Sequence, residues 1–358
     1  MRIALVHDYL FEQGGAENVF EVMTEMFPDA PIYTAIYVPD AMSDTFRQRD
    51  IHTSFLQPIT REKRKAMALL PLYPSAFRAM KLRGYDLVLT SSSSFAKGID
   101  VGDARHVCYC HTPPRFLWQT DRYIEQITAP WKRTLIRLAT GLLRARDRRD
   151  AGNVTTFLAN SRLTQGRIKR VYGRDAAVIH PPIDVGAFHL SDTIDPNLLV
   201  VSRLIPYKRV DIVIEACNRL GLPLVVVGDG PDRARLAALA GPTVTMRGRL
   251  PRSEVVELLA RCRALVFPGE EDFGLTPLEA NASGRPVIAY RGGGALETVV
   301  EGVTGAFFDA RTAASVAAAL AAFDPSHYEP AAARAHAARF DVAVFRAALR
   351  QALPVPRP

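Results

Sequence analysis

Two glutamates, Glu271 and Glu279, bracket Glu-Asp-Phe-Gly-Leu-Thr-Pro-Leu-Glu, the stretch of this sequence best suited to holding a long polar ligand. Ala264-Leu265-Val266-Phe267-Pro268 reads as a buried strand entering it. Pro277-Leu278-Glu279-Ala280-Asn281-Ala282 reads as the first turn of a helix leaving it, with proline near its start. Strand, glycine-bearing loop, helix is the order that sets a ligand at the carboxyl end of a parallel sheet, facing the positive amides of a helix start. Glu271 then lies on the loop and Glu279 about one turn into the helix, so the two address different parts of one ligand. The plainer reading of the same spacing is a solvated acidic loop followed by a glutamate at a helix dipole.

A cationic set has a similar setting. Leu198 to Val201 reads as a strand, Ser202-Arg203-Leu204-Ile205-Pro206-Tyr207-Lys208-Arg209 as its exit loop, and 211–220 as the next helix. Arg203 and Lys208 stand at a strand end beside a helix start, where charge-assisted hydrogen bonds grip a diphosphate. Leu224-Val225-Val226-Val227 is apolar throughout, as a strand covered on both faces should be, and ends in the turn Gly228-Asp229-Gly230-Pro231. A strand and bend over 244–250, a helix over 253–261 and a strand over 286–290 follow. Arg291-Gly292-Gly293-Gly294 then forms a loop whose amides suit an anion.

The first half repeats the alternation. A strand over 2–6 leads through His7-Asp8 to Gly14-Gly15-Ala16-Glu17, and helical spacing runs over 16–27. The glycine pair lets backbone approach a ligand closely. It lacks Gly-x-Gly-x-x-Gly and the ribose acid about 20 residues later, which speaks against a dinucleotide-dependent dehydrogenase. Further strands are expected over 32–37, 85–90 and 106–110. The last delivers His111-Thr112-Pro113-Pro114-Arg115, which holds His111 rigidly, as either a catalytic or a structural histidine. A strand at 155–161, a helix over 162–171 and a strand into Pro181-Pro182 close this half. The expected domains are 1–184, a linker over 185–196, 197–328, and a helical segment over 329–358 packing back towards the first domain.

The 358 residues suit two domains with separate cores. A formal charge of +8 favours an anionic partner. Cys108, Cys110, Cys217 and Cys262 lie in or beside apolar runs without zinc-ligand spacing and read as reduced core thiols. No signal peptide and no membrane-spanning run are expected. Two stretches mix basic and apolar residues in a way that suits an anionic membrane surface or an ordinary amphipathic helix. One runs over 61–83, with Arg61, Lys63, Arg64, Lys65, Arg78, Lys81 and Arg83. The other runs over 131–149, with Lys132, Arg133, Arg137, Arg144, Arg146, Arg148 and Arg149. Neither has the aromatic interleaving of a nucleic-acid platform, and no nucleic acid is expected.

Gly14-Gly15-Ala16-Glu17, Cys110-His111-Thr112-Pro113, Ser202-Arg203-Leu204 with Lys208, Gly228-Asp229-Gly230-Pro231, Glu271 to Glu279 and Gly292-Gly293-Gly294-Ala295-Leu296-Glu297 occur in one order. Together they resemble the family-4 retaining glycosyltransferases. The resemblance implies an α/β GT-B fold, two facing Rossmann-like domains with a cleft between them. It implies that Glu271 meets the donor hexose, Glu279 the ribose, and Arg203 and Lys208 the diphosphate. Gly14 and Gly15 would close on it, the amides of Gly274, Leu275 and Thr276 would bind sugar and phosphate, and His111 would lie near the reacting sugar. Gly228, Arg247, Leu250 and Phe273 complete the donor set, and Asp8, Glu17 and Arg115 make an acceptor-side set. His111, Glu271, Arg203 and Lys208 carry the catalysis in this reading.

The sequence has no Asp-x-Asp triplet, so no metal and no cofactor are expected, the fixed cations taking that role. Tyr109-Cys110-His111-Thr112-Pro113-Pro114-Arg115 resembles bacterial mannosyltransferases of polysaccharide assembly. That implies a nucleotide-diphosphate sugar, GDP-mannose, and a lipid-diphosphate-linked sugar acceptor, at the cytoplasmic face of the cell membrane. The alternatives are a UDP-sugar donor, a sugar-nucleotide epimerase and a non-catalytic sugar-nucleotide-binding protein. Asn281-Ala282-Ser283-Gly284 departs from the family's usual residues at packing positions.

Overall fold

The computed structural model describes residues 1–119 and 130–353, and the side chains of these except 63, 64, 67 and 130–138. The chain divides into two compact units, one of Met1–His180 with residues from Arg346 onward, the other Pro181–Phe345.

The first unit holds a seven-stranded sheet built from β1 (Ile3–His7), β2 (Ile32–Thr34), β3 (Ile51–Thr53), β4 (Leu87–Ser92), β5 (Arg105–Cys110), β6 (Thr156–Ala159) and β7 (Ala176–Val178). Their order is β3-β2-β1-β4-β5-β6-β7 and every pair is parallel. The second unit holds six strands, β8 (Leu198–Val201), β9 (Leu224–Val227), β10 (Val244–Gly248), β11 (Ala264–Phe267), β12 (Val287–Tyr290) and β13 (Gly305–Phe308). They run β10-β9-β8-β11-β12-β13, again all parallel.

Parallel neighbours require crossover connections, which helices supply here. Helices on both faces exclude water from the sheets, so the central strands are largely buried, apolar throughout in β8, β9 and β11 and turning to hydroxyl residues only at the carboxyl end of β4. Every residue of β4 and β11 is buried. In each sheet the chain order reverses beside the first strand, between β1 and β4 and between β8 and β11. Crevices at such reversals are where open α/β sheets bind ligands. The loops singled out above follow β1, β5, β8, β9, β11 and β12, so three of the six leave the reversal strands themselves.

The expected linker over 185–196 belongs to the second unit. Val185 and Phe188 are buried in its core, and Arg334 donates to their carbonyl oxygens at 3.1 and 3.0 Å. Ala337 and Phe340 join the same core, so only residues from Arg346 group with the first unit, where Arg346 pairs with Glu25. Residues 354–358 of the expected C-terminal segment lie outside the described residues. All four cysteines are buried thiols.

The first unit has a charged centre under its sheet. Lys97 Nζ lies 2.5 Å from Asp147 Oδ1, with side chains 2% and 0% exposed. Lys97 also donates to Ser94 O at 2.7 Å. Asp147 Oδ2 accepts from Trp118 Nε1 at 2.8 Å and from the Tyr172 hydroxyl at 2.7 Å. Burial works against the Lys97 charge, but Asp147 outweighs it and holds the lysine pKa above its ordinary value. Nearby His106 is fully buried, and burial followed by the Lys97 charge lowers its pKa to about 4. It is therefore a neutral core histidine, sharing a hydrogen bond with Thr90 Oγ1 at 2.8 Å.

Candidate active site

In the second unit the chemistry gathers at the β8/β11 reversal. Lys208 closes a short turn, Pro206–Lys208, after β8, and is 9% exposed. Its ammonium pairs with Glu271 Oε1. Gly269 packs on the Lys208 side chain, a Cβ there falling 3.2 Å from Lys208 Cδ. The expected diphosphate cation and the expected sugar-binding glutamate are thus direct partners on neighbouring strand ends. Arg203, on the same loop as Lys208, is exposed.

The turn Gly228-Asp229-Gly230 supports this loop from below. Leu204 N donates to Asp229 O at 2.9 Å, and Asp232 N to Leu204 O at 3.1 Å. Gly228 has φ +137°, and a Cβ there would lie 1.8 Å from Ser202 O. Only glycine lets the two backbones approach so closely. Gly228, expected among the donor contacts, is thereby a support for the Arg203 loop.

The triple glycine plays a corresponding part for Glu271. Gly294 N donates to Glu271 O at 2.8 Å, and a Cβ at Gly294 would fall 2.1 Å from Phe273 O. The loop read as an anion cradle is packed against the backbone of 271–273 and sets its path. Phe273 is buried in the core, 5.7 Å from the Phe340 ring, rather than open to a ligand. Gly274 precedes the helix Leu275–Ala282, and Leu275 and Thr276 are partly exposed at its start. Glu279 pairs with Arg252 at 2.9 Å, and the Arg252 guanidinium lies 5.0 Å over the Phe188 ring. Arg252 is absent from the sequence-based set because 27 residues separate it from Glu279. Arg247 pairs with Glu254 at 3.4 Å and Leu250 packs against the core.

In the first unit the carboxyl ends of β1, β4 and β5 lie side by side. Asp8, expected on the acceptor side, is 0% exposed. Its carboxylate accepts from the amides of Ser93, Ser94 and Ala96 at 2.6, 2.8 and 2.7 Å, and from the Ser92 and Ser93 hydroxyls at 3.3 Å. Those donors use up its oxygens, so Asp8 ties the turn after β4 to β1 and does not meet a ligand. His111 is 8% exposed; its Nε2 lies 2.8 Å from Ser91 Oγ, and its backbone amide donates to Ser92 O at 2.9 Å. Ser91 also meets His7 Nδ1 at 3.1 Å, and His7 Nε2 faces Glu17 Oε1 at 3.5 Å. His7 and Ser91 are absent from the sequence-based set because nothing in their local spacing marks them. Glu17 lies in the first turn of the helix Gly15–Met26, with Gly14 as its N-cap and Gly15 exposed. Arg115 opens a one-turn helix, Arg115–Trp118, and is partly buried.

Two family models match adjoining parts of the chain, "Glycosyltransferase Family 4" over residues 13–186 and "Glycosyl transferases group 1" over 187–332. A D-inositol 3-phosphate glycosyltransferase of Segniliparus rotundus is 29% identical over 235 residues, 54% of this chain and 52% of that protein. A GDP-mannose-dependent alpha-(1-6)-phosphatidylinositol monomannoside mannosyltransferase of Mycolicibacterium smegmatis is 31% identical over 190 residues, 44% of this chain and 49% of that protein. The chain thus spans about half the length of these two curated relatives. Among solved structures, Anabaena Alr3699/HepE in complex with UDP superposes with a TM-score of 0.71 at 18% identity, covering 98% of this chain and 99% of that one. Sucrose-phosphate synthase from Thermosynechococcus elongatus gives 0.77 at 18% identity, with 98% of each chain covered. With two Rossmann-like parallel sheets and family models that together take in residues 13–332, the chain belongs to the family-4 glycosyltransferases of the GT-B fold.

Proposed function

We propose that this chain is a retaining glycosyltransferase that moves mannose from GDP-mannose to a lipid-linked glycan acceptor. The observation that carries the reading is the Lys208–Glu271 pair at the β8/β11 reversal, with Arg203 exposed on the Lys208 loop. Breaking a nucleotide-sugar bond builds negative charge on the leaving diphosphate and positive charge on the sugar ring. Two fixed cations stabilise the first. Lys208 exchanges Glu271 for a phosphate oxygen, which leaves the Glu271 carboxylate to accept from sugar hydroxyls. The amides at Leu275 and Thr276 add a helix start aimed at the same charge. His111 is the proposed contact to the reacting sugar. Retention follows a same-face displacement in which the leaving phosphate oxygen takes the acceptor proton. Glu279, oriented by Arg252, is the proposed ribose ligand.

The name of the mycobacterial mannosyltransferase supports the donor and a phospholipid-linked acceptor. A UDP-sugar is the second reading, favoured by whole-chain likeness to a structure that holds UDP and glucose. Support for membrane contact comes from exposed Phe55, Ile59 and Leu72 on the same segment as exposed Arg61, Lys65 and Lys81. The second basic stretch contributes less. Arg144 donates to Leu117 O at 2.6 Å, Arg146 to Asp150 at 3.2 Å, and Arg148 lies 4.8 Å over Trp118. The side chains of Lys63, Arg64, Trp131, Lys132, Arg133 and Arg137 lie outside the described residues. Among the described residues no helix is long and apolar enough to cross a membrane, and attachment at the cytoplasmic face is proposed.

A thermal-shift panel of GDP, UDP and ADP with their sugar conjugates, with and without divalent metal, tests this. A ligand that binds only the native state raises Tm with its concentration. The expected result is a shift with GDP and GDP-mannose that metal does not alter. A shift with UDP species alone replaces the donor, and no shift with any nucleotide overturns the reading.

A further inference from the structure

We propose that Glu17, His7 and Ser91 form a relay that sets the tautomer and ring plane of His111. On this assignment Glu17 is a positioning residue and not a ligand of the acceptor. The proposal deepens the reading above, which gives His111 a substrate to meet.

The relay follows from strand pairing. His7 and Ser91 are Cα partners across β1 and β4, and Ser91 and Tyr109 are partners across β4 and β5. His111, just past β5, therefore shares the carboxyl edge of the sheet with both. Each ring is held. His7 stacks on Phe20 with centroids 4.7 Å apart and planes 19° apart, and the Tyr109 ring meets His111 edge-on at 5.2 Å. Tyr109 is in turn pinned by its hydroxyl, which donates to Ile179 O at 2.8 Å.

Proton accounting supplies the direction. Ser91 Oγ carries one hydrogen and lies 3.1 Å from His7 Nδ1 and 2.8 Å from His111 Nε2. It can therefore donate to only one of the two rings. The Glu17 carboxylate only accepts, so His7 Nε2, 3.5 Å from Oε1, carries a hydrogen. In neutral His7 the lone pair is then on Nδ1, which accepts from the Ser91 hydroxyl. Ser91 oxygen in turn accepts from His111 Nε2–H. The chain of donors runs from His111 to Glu17 and leaves the lone pair of His111 on Nδ1. The Glu17 side chain is 12% exposed and that of His7 2%, so water competes little for either.

Gly14 fits the same assignment. A Cβ at Gly14 would lie 2.8 Å from Glu17 Oε2, so any side chain there pushes the carboxylate off His7.

The test is NMR of the full chain carrying ¹⁵N-labelled histidine, at a pH where the imidazoles are neutral, with His111→Gln used to assign the resonances. The expected result is a single Nε2–H tautomer for His111 in the parent protein. Ser91→Ala and Glu17→Gln are each expected to give a mixture of tautomers. The glutamine amide offers both an acceptor and a donor and so no longer dictates a direction. An Nδ1–H tautomer in the parent, or a His111 unchanged in either folded variant, overturns the relay. Transfer kinetics add a second readout: kcat falls about tenfold or more with the donor KM unchanged, as when the partner of a working imidazole is removed. The tautomer readout needs no turnover, so it stands or falls separately from the transferase reading.

Discussion

Lys208→Met is expected to lower kcat for hexose transfer by about 10²–10³-fold, or roughly 3–4 kcal/mol of transition-state stabilisation. Lys208 is 9% exposed, on a turn backed by Gly269 and by the Gly228 support, so it enters the reaction already placed. In a partly buried site a fixed cation acts on developing phosphate charge with little water to screen it. Methionine keeps most of the volume and removes the charge. Fold stability changes far less, because Glu271 has a side chain 26% exposed and hydrates when its partner goes. The part-exposed pair is worth about 1 kcal/mol at most, a Tm shift of about 2–4 °C. Steady-state transfer rates alongside melting curves check both halves. Activity within threefold of the parent would remove Lys208 from the mechanism.

The largest stability effect belongs to Lys97 and Asp147. Asp147→Asn is expected to cost about 3–5 kcal/mol, because it strands a buried ammonium whose only other acceptor is Ser94 O among the described residues. Lys97→Met is expected to cost a similar amount, since among the described residues the Asp147 charge then rests on Trp118 and Tyr172 alone. The double variant Lys97→Met with Asp147→Leu should recover much of the loss, as a buried pair replaced by apolar groups often does. The pH dependence of the pair follows from the lysine. Its folded pKa is raised, so its contribution is complete below the ordinary lysine range and fades only as pH rises through the raised value. Urea unfolding followed by tryptophan fluorescence reports on this unit, since Trp118 and Trp131 both fall within Met1–His180. Single variants within 1 kcal/mol of the parent would contradict the account.

The parts of this fold legible in the sequence are those governed by local rules. Apolar runs of strand length, each ending in a glycine or a polar turn and followed by helical spacing, gave two α/β units. They also set Arg203, Lys208, Glu271 and His111 on strand-end loops. What stayed hidden depends on which strands become neighbours. Asp8 resembles a ligand carboxylate from its place after β1, but its donors come from residues about 85 positions later, delivered by the β1–β4 pairing. The Ser91 link between His7 and His111 is hidden for the same reason. The Gly292-Gly293-Gly294 loop misled differently. Glycine signals a close approach to backbone, and the sequence does not say whether the visitor is a phosphate or, as here, the chain at Phe273. The basic stretch over 131–149 reads in the sequence as a solvated or lipid-facing face, because charge alone does not reveal inward partners such as Leu117 O and Asp150.

The most direct measurement of the central claim is to follow GDP-mannose by NMR in the presence of the protein, with and without lipid-linked glycan extracted from membranes. The expected result is donor loss only when acceptor is present, GDP released in equal amount, and a new glycoside that keeps the donor's anomeric configuration. Donor that binds yet is never consumed would contradict it in favour of a binding protein. Sugar interconversion without acceptor would contradict it in favour of an epimerase.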